Sequence, residues 1–222
     1  MNIFGVDLFE ILIRVPIVLI CLVVHEVSHG YMAMKLGDPT ARNLGRLTLN
    51  PLKHLDPIGA ICMLFFRFGW AKPVPINTRY FKKPRRDMAL TALAGPVSNF
   101  IMAFAGVFIF CISRTIYTYF PVYEGFGVNL WIVWFTFVEV FIFMNLSLGV
   151  FNMIPVPPLD GSRIFLTFLP AKYYFGIMKY ERYIMFAMLA LLYTGILTLP
   201  LSMIVQALYS GMFFVVGLIP GL

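Results

Sequence analysis

Apolar residues gather into three long runs, 11–36, 88–119 and 130–151, and a fourth apolar region, 183–222, is broken around Pro200. Each of the first three exceeds the roughly 20 residues that a helix needs to cross a bilayer at about 1.5 Å per residue. The fourth holds enough apolar residues for two further spans or a tight hairpin. A shorter apolar run, 58–68, is too short to cross as a helix and reads as a re-entrant or interfacial segment. Residues 43–50 alternate around Leu47 and Leu49, a weak strand signal that Asn50-Pro51 then turns. The pattern predicts an all-α polytopic membrane protein of about five transmembrane helices. A short re-entrant or β-like membrane-associated segment lies between the first two, and the whole of 1–222 forms a single domain.

The breaks are as informative as the runs. Gly37-Asp38-Pro39 ends the first run with a C-cap glycine and a proline that cannot continue the helix. Pro155, Pro157 and Pro158 follow the third run and prevent helix there. Residues 162–182 are amphipathic and basic, as in a segment lying along a membrane interface.

Composition agrees with a membrane-embedded chain: 60% of the 222 residues are hydrophobic and 12% charged, with a mean hydropathy of +0.86. The net charge of +7 is concentrated, since eleven of the 17 Lys and Arg lie between Lys35 and Arg86. A basic block beside apolar spans fits cytoplasmic retention and contact with anionic lipid. Nucleic-acid binding needs a soluble basic face, and none is available. The protein is therefore expected in the cell membrane as a multi-pass protein, with its basic loops and its active-site access on the cytoplasmic side. Cys21, Cys62 and Cys111 are isolated in apolar runs and read as free thiols. The N-terminus carries Asp7 and Glu10 where a cleavable signal has basic residues.

The chemistry is concentrated in His25-Glu26-Val27-Ser28-His29, inside the first run. Histidines four apart share one helix face and can reach a single cation. Glu26 beside them is placed to act as general base on a water bound to that cation. Buried in lipid, two imidazoles and a carboxylate are expensive and point to function. A catalytic zinc usually takes three protein ligands and a water, so one ligand is missing. The candidates are Asp160, an acid in the proline-broken stretch beside Gly161, and His54, the other histidine. Asp160 is the stronger, because an acid at a broken helix within the membrane needs a cation partner; it could also cap the segment that starts at Ser162.

His25-Glu26-Val27-Ser28-His29-Gly30, Gly37-Asp38, Leu49-Asn50-Pro51, Ala94-Gly95-Pro96 with Asn99, and Asn152 through Asp160-Gly161 follow one another in this order. This series resembles that of the site-2 protease family of intramembrane zinc metalloproteases, in the short prokaryotic form without PDZ or CBS domains. The resemblance implies one Zn2+ per chain held by His25, His29 and Asp160, with Glu26 as catalytic base and no ligand role for His54. It implies an endopeptidase that cuts within or next to transmembrane segments. Its partners would be single-pass or membrane-anchored proteins, such as regulatory precursors or signal-peptide remnants, and the lipid bilayer.

Asn152 is a second catalytic candidate, as a donor to the substrate backbone or oxyanion, or else an amide that satisfies carbonyls freed by Pro155. Residues 44–50, or the apolar stretch after them, are expected to offer a strand edge to an unwound substrate. Glu139, inside the third run, either faces a polar cavity or pairs with Arg114, and Asn145 is expected to join helices. Two other readings use the same residues, a membrane metal-ion transporter and a non-catalytic zinc-binding scaffold. Transport favours repeated halves with acids on several spans, and a structural zinc favours four protein ligands.

Overall fold

Residues 2–3, 6–56, 72–122 and 124–221 are described by the structure, a computed structural model. The run expected to be re-entrant, 58–68, and Cys62 lie outside the described residues. Two-residue strands, β1 (Asn2–Ile3) and β2 (Val6–Asp7), pair antiparallel ahead of the first helix.

Four helices among the described residues are long and apolar enough to cross a membrane. They are α1 (Leu8–Lys35), α3 (Pro84–Tyr119), α4 (Phe126–Asn152) and α8 (Thr198–Gly217). Between α1 and α3 stands the four-residue α2 (Thr40–Asn43). After α4 come the short α5 (Asp160–Phe165) and α6 (Ala171–Met178), then α7 (Glu181–Tyr193). At 13 residues, α7 is shorter than a crossing requires, so α8 is the one long span after Tyr183.

Helix α4 packs against α1, α3 and α8. One face packs Val138, Ile142, Leu146 and Val150 against Ala103 and Val107 of α3 and Val205 of α8. Its other face meets Ile13, Ile17 and Cys21 of α1 through Phe137, Phe141, Met144 and Leu148. Lipid gives helices no hydrophobic reason to associate, so close packing and polar contacts must hold them. Gly106 of α3 supplies the first: a Cβ there would come within 2.8 Å of Ile142. Asn145 supplies the second. Its side chain accepts from Asn99 Nδ2 at 2.9 Å and donates to the Phe141 carbonyl at 2.9 Å, joining α3 to α4 as expected.

The connection from α1 to α3 is held down by polar contacts. Asp38, fully buried, accepts at Oδ1 from the Thr40 backbone N–H (2.9 Å) and the Thr40 hydroxyl, and at Oδ2 from the Asn77 N–H (2.6 Å). Arg46 donates to the carbonyls of Lys72 (2.7 Å) and Pro73 (3.3 Å). Residues 44–50, where alternation suggested a strand, form turns and irregular backbone. The alternation has a different cause. Leu47 packs on Gly30 of α1, and Leu49 flanks a small cavity with Leu19 and Val23 of the same helix. An apolar residue at every second position here serves one helix, not a sheet.

Candidate metal centre

His25 and His29 occupy successive turns of α1 and are both buried. Each ring is fixed by a contact at Nδ1. His29 Nδ1 lies 2.7 Å from the Thr91 carbonyl, which can only accept, so His29 carries its proton at Nδ1. His25 Nδ1 lies 2.6 Å from Asn99 Oδ1. The orientation of Asn99 follows from a chain of contacts that ends at a main-chain carbonyl. The Phe141 carbonyl must accept from Asn145 Nδ2, leaving Asn145 Oδ1 to accept from Asn99 Nδ2. Asn99 Oδ1 therefore faces His25 and takes its Nδ1 proton.

In the neutral rings both Nε2 atoms are therefore bare lone pairs, and they stand 3.0 Å apart. The third corner is Asp160 Oδ2, 3.1 Å from each. That oxygen is buried and receives no hydrogen bond of good geometry. Three lone pairs converging on one point repel unless a positive charge sits among them. A tetrahedral centre with bonds of about 2.0–2.1 Å places its ligand atoms roughly 3.3 Å apart. Spacings of 3.0–3.1 Å match that triangle closely, so the three residues could hold one small cation and leave a fourth corner open. Asp160 lies outside the four spans.

The elements that bring these side chains together use glycine at the points of closest approach. At Gly95 a Cβ would overlap both imidazoles, lying 2.6 Å from His25 Cε1 and nearer still to His29. Pro96, next in α3, brings no N–H to its turn and weakens the helix's own hold on the carbonyls there, beside Thr91. Gly161 lets α5 press on the main chain of Met153 and Ile154, so that Asp160 is driven toward α1. Asp160 opens α5 without capping it, since Leu159 is the N-cap residue and no side-chain cap bond forms.

A match to peptidase family M50 covers residues 14–195. The chain belongs to that family. The M50 protein is 44% identical over 163 residues to "Putative zinc metalloprotease YwhC" of Bacillus subtilis, covering 70% of each chain. It is 28% identical to "Putative zinc metalloprotease Rip2" of Mycobacterium tuberculosis over 64% of this chain and 52% of Rip2. It is also 28% identical to "Zinc metalloprotease MJ0392" of Methanocaldococcus jannaschii, over 72% of this chain and 34% of that one. No solved structure matches. The family makes this M50 chain a zinc metalloprotease with a Zn2+ cofactor, carried on helices of transmembrane length.

The remaining residues singled out in the sequence fall in distinct places. Glu26 is half-buried, and its Oε2 accepts from the Val74 backbone N–H at 2.8 Å. Val74 stands between Pro73 and Pro75, which have no N–H, so it is the one donor of that tripeptide. This Pro-Val-Pro pattern was a legible signal for a fixed donor. Asn152 turns back on its own helix, donating to the Leu148 carbonyl at 3.0 Å. His54 is buried away from the cluster, with Nε2 2.8 Å from the Thr48 carbonyl. Gly95 and Asn99 stood out in the sequence only as members of the motif series and Thr91 not at all; what they do for the imidazoles needed three dimensions.

Proposed function

We propose that the protein is an intramembrane endopeptidase in which His25, His29 and Asp160 hold one zinc ion and Glu26 is the general base. The observation that carries this reading is the meeting of three potential ligand atoms 3.0–3.1 Å apart, two from α1, a helix of transmembrane length, and one from α5. When bound, zinc supplies Lewis acidity that activates a water and polarises the scissile carbonyl.

Glu26 takes a proton from the attacking water and delivers it to the leaving amine. The Val74 N–H holds one carboxylate oxygen, which fixes the rotamer and leaves the other oxygen for proton transfer. Asn152 is at the end of α4, where release of its amide from Leu148 would free a donor for the substrate backbone.

Substrates are single-pass or membrane-anchored proteins, either regulatory precursors or signal-peptide remnants. Their helices must unwind locally, because a helical peptide bond is shielded by its own hydrogen bonds. The cluster lies roughly 9–15 Å from the Lys35 end of α1, at about 1.5 Å per residue. The segments joined to that end carry Lys35, Arg42, Lys72, Arg79 and Lys83, and the positive-inside bias favours access from the cytoplasmic side of the cell membrane.

Purified protein in nanodiscs, given a tagged single-pass substrate, tests this. Wild type should cut, a chelator should stop it, and Glu26→Gln should retain zinc while losing at least 100-fold in rate. Cleavage by Glu26→Gln at the wild-type rate would remove the base from the mechanism. Zinc flux into sealed vesicles without any cleavage would favour a transporter instead.

A further inference from the structure

Helix α4 carries an acid at its centre. Glu139 is midway between Phe126 and Asn152, about 20 Å from either end at 1.5 Å per residue. Its side chain is exposed, and among the described residues no hydrogen bond or ion pair reaches it; the pairing with Arg114 expected from the sequence does not form. Lipid has no donor to offer an acid at that depth.

One turn of α4 separates Glu139 from a largely apolar cavity. Tyr209 of α8 is within electrostatic reach of Glu139 and stacks on Phe143 with ring centroids 4.6 Å apart. Phe143, one turn beyond Glu139, lines a cavity of about 560 Å³ between α4, α8 and α1. Ser147, Ser202 and Gln206 also line it, and all three are exposed. On the α1 side its wall is Val18, Cys21 and Leu22, which precede His25 by seven, four and three residues and so share its helix face. The cavity thus continues the face of α1 that carries the imidazoles.

We propose that Glu139 is a specificity-determining residue that pairs with a basic side chain, Arg or Lys, in the transmembrane segment of the substrate. This rests on the intramembrane peptidase reading above. The substrate is favoured over a resident subunit because the cavity one turn from Glu139 runs along the face of α1 that carries His25 and His29, and a permanent partner over α4 and α8 would close it. The acid takes a cation by charge complementarity, and Gln206 and Tyr209 offer further polar contacts to the same segment. Glu139 lies six residues, about 9 Å along α4, before Asn145, which Asn99 links to His25, so the basic residue sits within a few helical turns of the cut bond.

The test uses the full chain in nanodiscs with a single-pass Leu/Ala peptide bearing a photo-crosslinker and either Arg or Leu at mid-segment. Capture is measured on the Glu26→Gln background, so it does not depend on turnover. The expected result is at least tenfold better capture of the Arg peptide, falling to parity in Glu139→Gln at unchanged zinc content. Glu139→Asp should restore the preference, and Glu139→Lys should transfer it to a peptide carrying Asp. Equal capture of both peptides with Glu139 present would overturn the proposal. So would a shift in oligomeric state on Glu139→Gln with no change in capture, which would make this face a subunit interface. Cleavage of the same peptides by the active enzyme is scored separately. Selective capture without cleavage would count against the peptidase reading, and cleavage without selectivity against Glu139 alone.

Discussion

Gly95→Ala is the smallest change that should dismantle the proposed metal centre. A Cβ at 95 would lie 2.6 Å from His25 Cε1, about 0.8 Å short of the 3.4 Å at which ordinary contact begins, and nearer still to His29. Neither ring can swing away freely, because each is tethered at Nδ1, to Asn99 at 2.6 Å and to the Thr91 carbonyl at 2.7 Å. Separating α1 from α3 would stretch those same two bonds. A metal site tolerates only about ±0.2 Å in its ligand distances, so a displacement of about 0.8 Å costs at least one ligand. The expected loss in zinc affinity is at least 100-fold, about 2.7 kcal/mol. Competition against a fluorescent chelator reads it directly. Gly106→Ala is the control, since it makes the same kind of helix–helix clash, 2.8 Å to Ile142, away from the histidines. It should lower the unfolding temperature and leave zinc affinity unchanged. If Gly95→Ala binds zinc like wild type, or if Gly106→Ala weakens it equally, the packing argument is wrong.

Asn99→Leu should weaken zinc binding by about 10–100-fold by removing the acceptor that fixes the His25 tautomer, while Asn99→Asp, which keeps the acceptor, should stay within a few-fold of wild type; isothermal titration separates the two. Asp38→Ala removes three hydrogen bonds at a fully buried carboxylate, so stability to chemical denaturation should fall by roughly 3 kcal/mol with one zinc still bound per chain. His54→Leu should cost about 1–2 kcal/mol through the lost bond to the Thr48 carbonyl and leave zinc stoichiometry at one, which metal analysis of the purified variant would check. Val74→Pro deletes the donor to Glu26 Oε2 and should lower the cleavage rate at saturating substrate with little change in zinc content.

Much of the site was legible because its chemistry is local. Histidines four apart share a helix face whatever surrounds them, and an apolar run of that length specifies its own hydrogen bonding in lipid. Three prolines after the third run announced that Asp160 would not sit in a continuous helix. Period alone misled at Leu47 and Leu49, since two-residue spacing is equally served by a loop draped over one helix. The region after Tyr183 was ambiguous for a related reason: hydropathy counts apolar residues but does not say where the chain turns, and α7 stops at 13 residues.

What the sequence by itself determined is therefore the membrane class, the paired imidazoles with their neighbouring acid, and the break before Asp160. Tertiary structure alone decided that Asp160 Oδ2 stands 3.1 Å from both Nε2 atoms, that Asn99 and Thr91 accept at Nδ1 and so favour the tautomer with Nε2 free, and that Glu26 leans on the Val74 N–H. The physical reason is range. Helix periodicity and solvation act over a few residues and are written in the chain, whereas the direction of a lone pair depends on partners 62 and 74 positions away, which only packing brings into contact.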